Sequence, residues 1–224
     1  MTIEPKINYE RFDSYRAKLL SFSIGFSENS DTYHSTNRRM FPVKLKPKMT
    51  LRSIELKIDF EGDSKRDIEM NISRFISALY EGADILLPDG FWYFCVFESA
   101  SAPEEKAPWI MQTKFSLSGI RHDALETTDT HTSTFDLFVK GNYETPAIIE
   151  AMCYGTAVTI AGITISNVYG NLVIDSLNCT VKQNNSNKFS YTNLTEFPKL
   201  QAGNNTITIS GNTSVKVSYY PIYI

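Results

Sequence analysis

The chain has 224 residues, of which 42% are hydrophobic and 21% charged, and its formal net charge at pH 7 is −3. This composition is typical of a folded protein and not of a disordered one, and the acidic balance argues against a protein that grips nucleic acid through its phosphates. Three widely spaced cysteines indicate neither a disulfide framework nor a zinc site. The first residues lack the apolar core of a signal peptide, and no apolar run approaches the length of a membrane helix. We therefore expect a protein folded in the cytosol, without membrane association.

Charge divides the chain into two parts. The last 84 residues hold eight charged side chains and are rich in Asn, Ser and Thr, whereas the first 140 residues hold 39 charged side chains. This change of composition predicts two domains, residues 1–140 and 141–224.

The amino-terminal domain combines strands with one helix. Residues 51–60 alternate between apolar and polar side chains, which predicts a strand with Ile54 and Leu56 on its buried face. Ser64 begins a capping-box pattern, and apolar residues then recur at helical spacing, so a helix is predicted over residues 64–81 with its apolar stripe against a sheet.

A strong turn signal, Pro88-Asp89-Gly90, follows this helix and predicts a hairpin whose second strand is residues 91–97. That strand is apolar on both faces, so it lies either inside a sandwich or under a partner chain, and the sequence leaves both alternatives open. Further strands are predicted at residues 111–120 and 135–139.

The carboxyl-terminal domain alternates short apolar segments with Asn and Gly. Its period-two patterns predict strands at residues 157–160, 163–166, 172–181, 205–210 and 215–219. The apolar parity changes near Asp175, which predicts a bulge or bend within one strand. The last two strands are predicted to form a hairpin around Gly211. Regular short strands without helices are typical of a β-sandwich or jelly roll.

Two segments of this domain carry a resemblance to a known family. Residues 170–176 read Gly-Asn-Leu-Val-Ile-Asp-Ser, residues 197–207 read Phe-Pro-Lys-Leu-Gln-Ala-Gly-Asn-Asn-Thr-Ile, and a closing strand ends in Tyr219-Tyr220-Pro221. This end of the chain resembles the carboxyl end of siphophage distal tail proteins. The amino-terminal domain is similar to that family in the order and spacing of its elements, so the resemblance spans most of the chain.

The resemblance implies a mainly β fold, with an amino-terminal β-sandwich-like belt domain that contains one helix and a carboxyl-terminal galectin-like β-sandwich. It also implies a non-enzymatic structural protein of a siphophage or prophage virion, assembled in the cytoplasm of the host bacterium. Members of the family form hexameric hub rings. The expected partners are further copies of the chain, the tail tube protein, a tail tip or tail-associated lysin protein, and a receptor-binding protein.

A closed ring uses head-to-tail contacts, so each subunit needs two different complementary patches. The apolar hairpin and the strand at residues 51–60 predict a subunit interface in the first domain that involves Phe91, Trp92, Tyr93, Ile54 and Leu56.

A carbohydrate-binding or adhesin module is the alternative function. Tyr219 and Tyr223 close the chain and have aromatic faces that can stack on a sugar ring, although a terminal aromatic strand that seals a sandwich explains them equally well. The chain lacks the carbohydrate-binding insert of larger relatives, which argues against sugar binding.

Signatures of catalysis and metal binding are missing from the sequence. It contains no G-x-S-x-G, P-loop or G-x-G-x-x-G motif, and His34, His122 and His131 lack the partner spacing of a helical metal site. We expect no enzyme activity, no cofactor and no metal. A wall hydrolase is a third hypothesis without support from any residue.

Overall fold

A computed structural model describes residues 3–26 and 51–224 in full, and between them only the backbone of four two-residue strands. The side chain of His34 lies outside the described residues. The chain divides into two compact units, Met1–Arg121 with Ile224 (unit 1) and His122–Tyr223 (unit 2). Both are built mainly from strands, and the described residues contain one α-helix, so the predicted fold class is confirmed.

The first twelve strands of the chain begin before the division between the units. They are β1 Lys6–Ile7, β2 Glu10–Arg11, β3 Ala17–Ile24, β4 Asn29–Ser30, β5 Tyr33–His34, β6 Val43–Lys44, β7 Lys48–Met49, β8 Arg52–Glu61, β9 Ala83–Leu86, β10 Trp92–Ala100, β11 Glu104–Ala107 and β12 Ile110–His122. The main sheet of unit 1 has the strand order β2-β1-β9-β10-β12-β8-β3, with β11 on β12. Strand β12 is antiparallel to β8 in an unbroken register from Ile110 opposite Glu61 to Gly119 opposite Arg52.

The predicted helix is confirmed as α1, Lys65–Tyr80. The hydroxyl of Ser64 accepts a hydrogen bond from the backbone N–H of Asp67 at 3.1 Å, as an N-cap does. The backbone N–H of Gly82, which has a positive φ of 95°, donates to the carbonyl of Leu79 where the helix ends.

Apolar side chains of α1 are buried at the predicted spacing, with Ile68, Ile72, Phe75 and Leu79 all inside. Phe75 is at the centre of an aromatic cluster, and its ring centroid lies 5.0–5.5 Å from those of its four neighbours, Phe12, Tyr15, Phe60 and Phe115. A short 3₁₀ helix, Phe12–Tyr15, supplies two of these rings. The helix is therefore fixed to the sheet mainly by aromatic packing.

Unit 2 consists of short strands. They are β13 Glu126–Thr127, β14 Phe135–Val139, β15 Thr145–Pro146, β16 Ile148–Tyr154, β17 Val158–Ile160, β18 Ile163–Ile165, β19 Tyr169–Asp175, β20 Thr180–Gln183, β21 Ser186–Asn187, β22 Lys199–Leu200, β23 Gly203–Ile207, β24 Ile209–Ser210, β25 Thr213–Tyr219 and β26 Ile222–Tyr223. The largest sheet has the order β13-β25-β16-β19-β20-β21, and smaller sheets pair β14 with β23, β15 with β22, and β18-β17-β24. A second 3₁₀ helix spans Phe189–Tyr191.

Two details of strand pairing in unit 2 differ from the prediction. The expected single strand over residues 172–181 is a hairpin of β19 and β20, because the carboxylate of Asp175 accepts hydrogen bonds from the backbone N–H groups of Leu177 and Asn178 and closes a turn. The expected hairpin around Gly211 does not form, since β24 pairs with β17 whereas β25 pairs with β16.

The division between the units precedes the predicted boundary at residue 140. Strand β13 pairs with β25, and Phe135–Val139 pairs with Gly203–Ile207, so these segments belong to the fold of unit 2. The charged residues of this stretch explain the difference, because they give it the composition of the first domain. Within the described residues, no helix has the length and apolar character needed to cross a bilayer.

Candidate subunit interface

The five residues predicted for a subunit interface lie at different depths in unit 1. Ile54, Leu56 and Tyr93 are each 1% exposed and belong to the hydrophobic core. Phe91 and Trp92 are half-buried. The prediction needs correction for the three core residues, because their side chains are already packed inside the subunit and present no surface to another copy.

Alternation along β10 explains this difference. Successive side chains of a strand point to opposite faces of the sheet, so Tyr93 and Cys95 enter the core whereas Phe94 and Val96 remain 47% and 48% exposed. The sequence indicates that both faces are apolar, and the structure identifies which face is open to solvent.

A stripe of three aromatic residues, Tyr9, Trp92 and Phe94, together with the aliphatic Val96, occupies this open part of unit 1 and is called the aromatic stripe below. The Tyr9 ring, on a residue with a positive φ of 69°, lies 5.0 Å from the Trp92 ring, and Tyr9 is 68% exposed. Contiguous exposed apolar side chains of this kind mark surfaces that bind other proteins. Sequence reasoning missed Tyr9, which precedes the recognised strands and is brought to Trp92 by the pairing of β1 with β9.

Polar contacts fix the hairpin beneath the stripe. The Tyr93 hydroxyl donates a hydrogen bond of 2.6 Å to the carboxylate of Asp89 in the predicted turn, and burial, followed by this bond, raises the pKa of Tyr93. The guanidinium of Arg121 lies 4.4 Å from the centroid of the Phe91 ring. Arg52 is only 5% exposed, and this burial lowers the pKa of its guanidinium. The positive charge of Arg121 lowers that pKa further. The hairpin is thus held rigid while its outer side chains remain accessible.

Polar residues cover the same face of the sheet on strands β12 and β8. Lys114 lies directly opposite Lys57, and Ser116 opposite Glu55. The side chains of Ser118 and Glu98 are hydrogen-bonded. At these positions of β12 and β8 the face is polar, in contrast to the stripe on β10.

The residues predicted to contact a glycan also differ in depth. Tyr219 is 2% exposed, and its hydroxyl donates to the carbonyl of Phe138 at 3.2 Å. Its ring is part of the core of unit 2, so the assignment of Tyr219 to a sugar contact is corrected. Tyr223 is half-buried on the short strand β26.

The histidines of unit 2 make local contacts. His122 is buried, with Nδ1 2.8 Å from the carbonyl of Asp123. The His131 ring is stacked on Phe135, with centroids 3.8 Å apart. Among the described residues, no group of three or more His, Cys, Asp or Glu side chains has the arrangement to hold a metal ion.

Comparison with known proteins agrees with the resemblance seen in the sequence. Residues 140–223 match the family model described as the siphovirus-type tail component, C-terminal domain. No curated protein matches the chain.

Solved structures match over nearly the whole chain. The Dit protein of phage SPP1, described as a paradigm of the hub adsorption apparatus in phages that infect Gram-positive bacteria, is 11% identical, with a TM-score of 0.69 over 97% of this chain and 98% of that chain. A chain of the phage P2 baseplate in its activated conformation with Ca is 10% identical, with a TM-score of 0.62 over 97% of this chain and 98% of that one. The corresponding structure of the phage p2 baseplate with Sr gives 9% identity and a TM-score of 0.61, over 96% and 97%.

The expected resemblance is therefore confirmed. Residues 140–223 match the siphovirus-type tail component domain, and the chain as a whole is similar in fold to the SPP1 Dit protein and to a chain of the P2 baseplate.

Proposed function

We propose that copies of this chain assemble into a hexameric hub ring that joins the tail tube to the adsorption and tip proteins of a siphophage or prophage particle. The observation that carries this proposal is the tail-component match of residues 140–223, together with a Dit-like fold over 97% of the chain. The role is mechanical, and catalysis is not part of it.

The aromatic stripe is the surface of unit 1 that best suits a contact between subunits. Aromatic side chains are enriched at the centres of protein interfaces, where their burial contributes much of the binding free energy. Phe91 and Trp92 contribute to this contact from the predicted set, while Ile54, Leu56 and Tyr93 support it from the core. In a head-to-tail ring, the stripe of one subunit meets a different patch of the next.

The position of a hub within a phage tail indicates which other proteins this chain would contact. A ring of this kind has one side toward the tail tube protein and the other toward a tip or tail-associated lysin protein, with receptor-binding proteins attached. The family match to a tail component supports these partners, and assembly takes place in the host cytoplasm before the particle is released.

Native mass spectrometry and sedimentation velocity of the purified full chain test the proposal, together with negative-stain images of any assembly. The expected result is a ring of six copies whose fraction rises with protein concentration. Proteomics of purified particles gives an independent readout, which also detects a ring that forms only on a tail. A chain that stays monomeric at every accessible concentration and is also missing from the particles would refute the proposal.

A further inference from the structure

A polar groove in unit 2 has no part in the proposed hub contact. One wall is the end of β18 and the turn that follows it, and the other is the 3₁₀ helix Phe189–Tyr191 and the residues after it. The groove has a volume of about 430 Å³, which is within the range of small-molecule sites. Uncharged side chains line it throughout, namely Thr164, Ser166, Asn167, Ser190, Tyr191, Thr192 and Asn193.

Hydrogen bonds hold the two walls together. The backbone N–H of Thr164 donates to Oδ1 of Asn193 at 2.7 Å, and the backbone N–H of Asn193 donates to the carbonyl of Thr164 at 3.1 Å. The backbone N–H of Ser166 donates to the carbonyl of Tyr191 at 3.0 Å. This frame fixes the groove before any ligand arrives, which reduces the entropic cost of binding.

Several polar side chains in the groove remain available. The hydroxyls of Ser166, Ser190 and Tyr191 and the amide of Asn167 make no hydrogen bond to the described residues, whereas the Asn193 amide oxygen is used by the frame. Asn167 has a positive φ of 57°, a conformation that Asn tolerates better than most residues. Three hydroxyls and one carboxamide therefore line the groove with donors and acceptors open to a ligand.

An aromatic ring completes the site. Tyr191 is 38% exposed, and the ammonium of Lys188 lies 4.4 Å from its ring centroid, which restrains the ring. A partly exposed tyrosine offers both an apolar face and a polar hydroxyl.

We propose that this groove binds a neutral saccharide. The Tyr191 ring packs on the apolar C–H face of a pyranose, and the side chains of Ser166, Asn167 and Ser190 exchange hydrogen bonds with its hydroxyl groups. No charged side chain lines the groove itself, and because the Lys188 ammonium lies over one face of the Tyr191 ring, the sugar packs on the other face. A peptide fits less well because the groove lacks an apolar pocket for a side chain. The proposal is independent of the hub assignment, which can hold whether or not the groove binds sugar.

Chemical-shift mapping on the ¹⁵N-labelled full chain tests this, with glucose, galactose, N-acetylglucosamine and rhamnose as separate probes. We expect at least one sugar to shift the amides of residues 164–167 and 190–193 in a saturable manner, with a dissociation constant on the order of millimolar. Tyr191→Ala should weaken binding at least tenfold, because it removes the ring. Asn167→Gly preserves the positive φ, removes the carboxamide and should weaken binding roughly three- to tenfold.

Matched variants separate the site from a general effect on the unit. Tyr191→Phe keeps the ring and should lose less affinity than Tyr191→Ala. Tyr169→Ala removes another exposed tyrosine of unit 2, outside the groove, and should bind as the original chain does. The proposal is overturned if none of the four sugars shifts the groove amides, if the shifts map elsewhere, or if Tyr191→Ala binds unchanged while remaining folded.

Discussion

Replacing Phe94 and Val96 together by threonine should weaken assembly without unfolding the subunit. Each side chain is about half exposed, at 47% and 48%. Complete burial of such a side chain stabilises by roughly 1.5–3 kcal/mol, so burial of the exposed half at an interface contributes about 1 kcal/mol. The double variant therefore loses about 2 kcal/mol per subunit contact, which lowers the association constant roughly 30-fold. Threonine retains a high strand propensity, so the free energy of unfolding of the monomer should change by about 0.5 kcal/mol or less.

Sedimentation velocity across a concentration series measures the association constant, and urea unfolding measures the stability of the subunit. Leu20→Thr is the matched control, because Leu20 is 43% exposed on the edge strand β3 and lies outside the stripe. Assembly of the double variant at the original concentration would refute the stripe as a subunit contact. Equal weakening by Leu20→Thr would show that the effect comes from surface polarity in general.

Four further predictions concern the cores and the thiols. Phe75→Ala removes a buried ring that has four aromatic neighbours. It should lower the free energy of unfolding, measured by urea titration, by about 3–5 kcal/mol. A loss below about 1 kcal/mol would contradict the observed packing. Tyr219→Phe should lower the free energy of unfolding by about 1–2 kcal/mol, because the Tyr219 hydroxyl donates to the carbonyl of Phe138 and accepts from the backbone N–H of Lys140. Tyr219→Ala should cost about 3–5 kcal/mol, and similar stabilities for the two variants would contradict the burial of this ring. Burial raises the pKa of the Cys95 thiol to about 12 and raises that of Cys153, so a thiol reagent at neutral pH should label the exposed Cys179 alone in the folded protein. The Cys95 thiol loses its proton at a lower pH in the unfolded chain than in the folded protein. The free energy of unfolding should therefore fall as the pH rises from the ordinary thiol pKa of 9.0 toward 12. Unfolding measured across this range should show a smaller dependence on pH for Cys95→Ala.

Local signals made the fold of unit 1 largely predictable. The capping pattern at Ser64 and the 3.6-residue spacing of buried side chains lie within one segment, so they identify α1 without knowledge of the sheet. Strand β8 is equally clear because its alternation is strict, with Ile54, Leu56, Ile58 and Phe60 all buried.

Strand pairing in unit 2 depends on contacts that the local sequence does not encode. Strands β24 and β25 are adjacent in the chain and share a period-two pattern, yet they pair with different strands, as neighbouring strands of a sandwich do when the chain changes sheets. Strand β16 was missed because two of its buried positions are the small residues Ala151 and Cys153, which give a weak apolar signal. It is nevertheless paired on both sides, with β19 and β25.

Exposure of an aromatic residue is the property that the sequence predicts least well, and it decides where ligands and partners can bind. The position of Tyr219 near the end of the chain suggests an accessible side chain. In the structure, its strand β25 lies between β13 and β16, and the Tyr219 side chain is buried. Tyr191 is surrounded in the sequence by Asn, Ser and Thr, which are typical of an ordinary turn. In the structure, hydrogen bonds join residues 164–166 to residues 191–193, and Tyr191 is one of the residues that line the groove. Both outcomes depend on segments that pair across tens of residues, since Thr164 is bonded to Asn193 and Tyr219 is opposite Glu126. A search for sugar contacts in this chain should therefore begin at Tyr191 and not at the buried Tyr219.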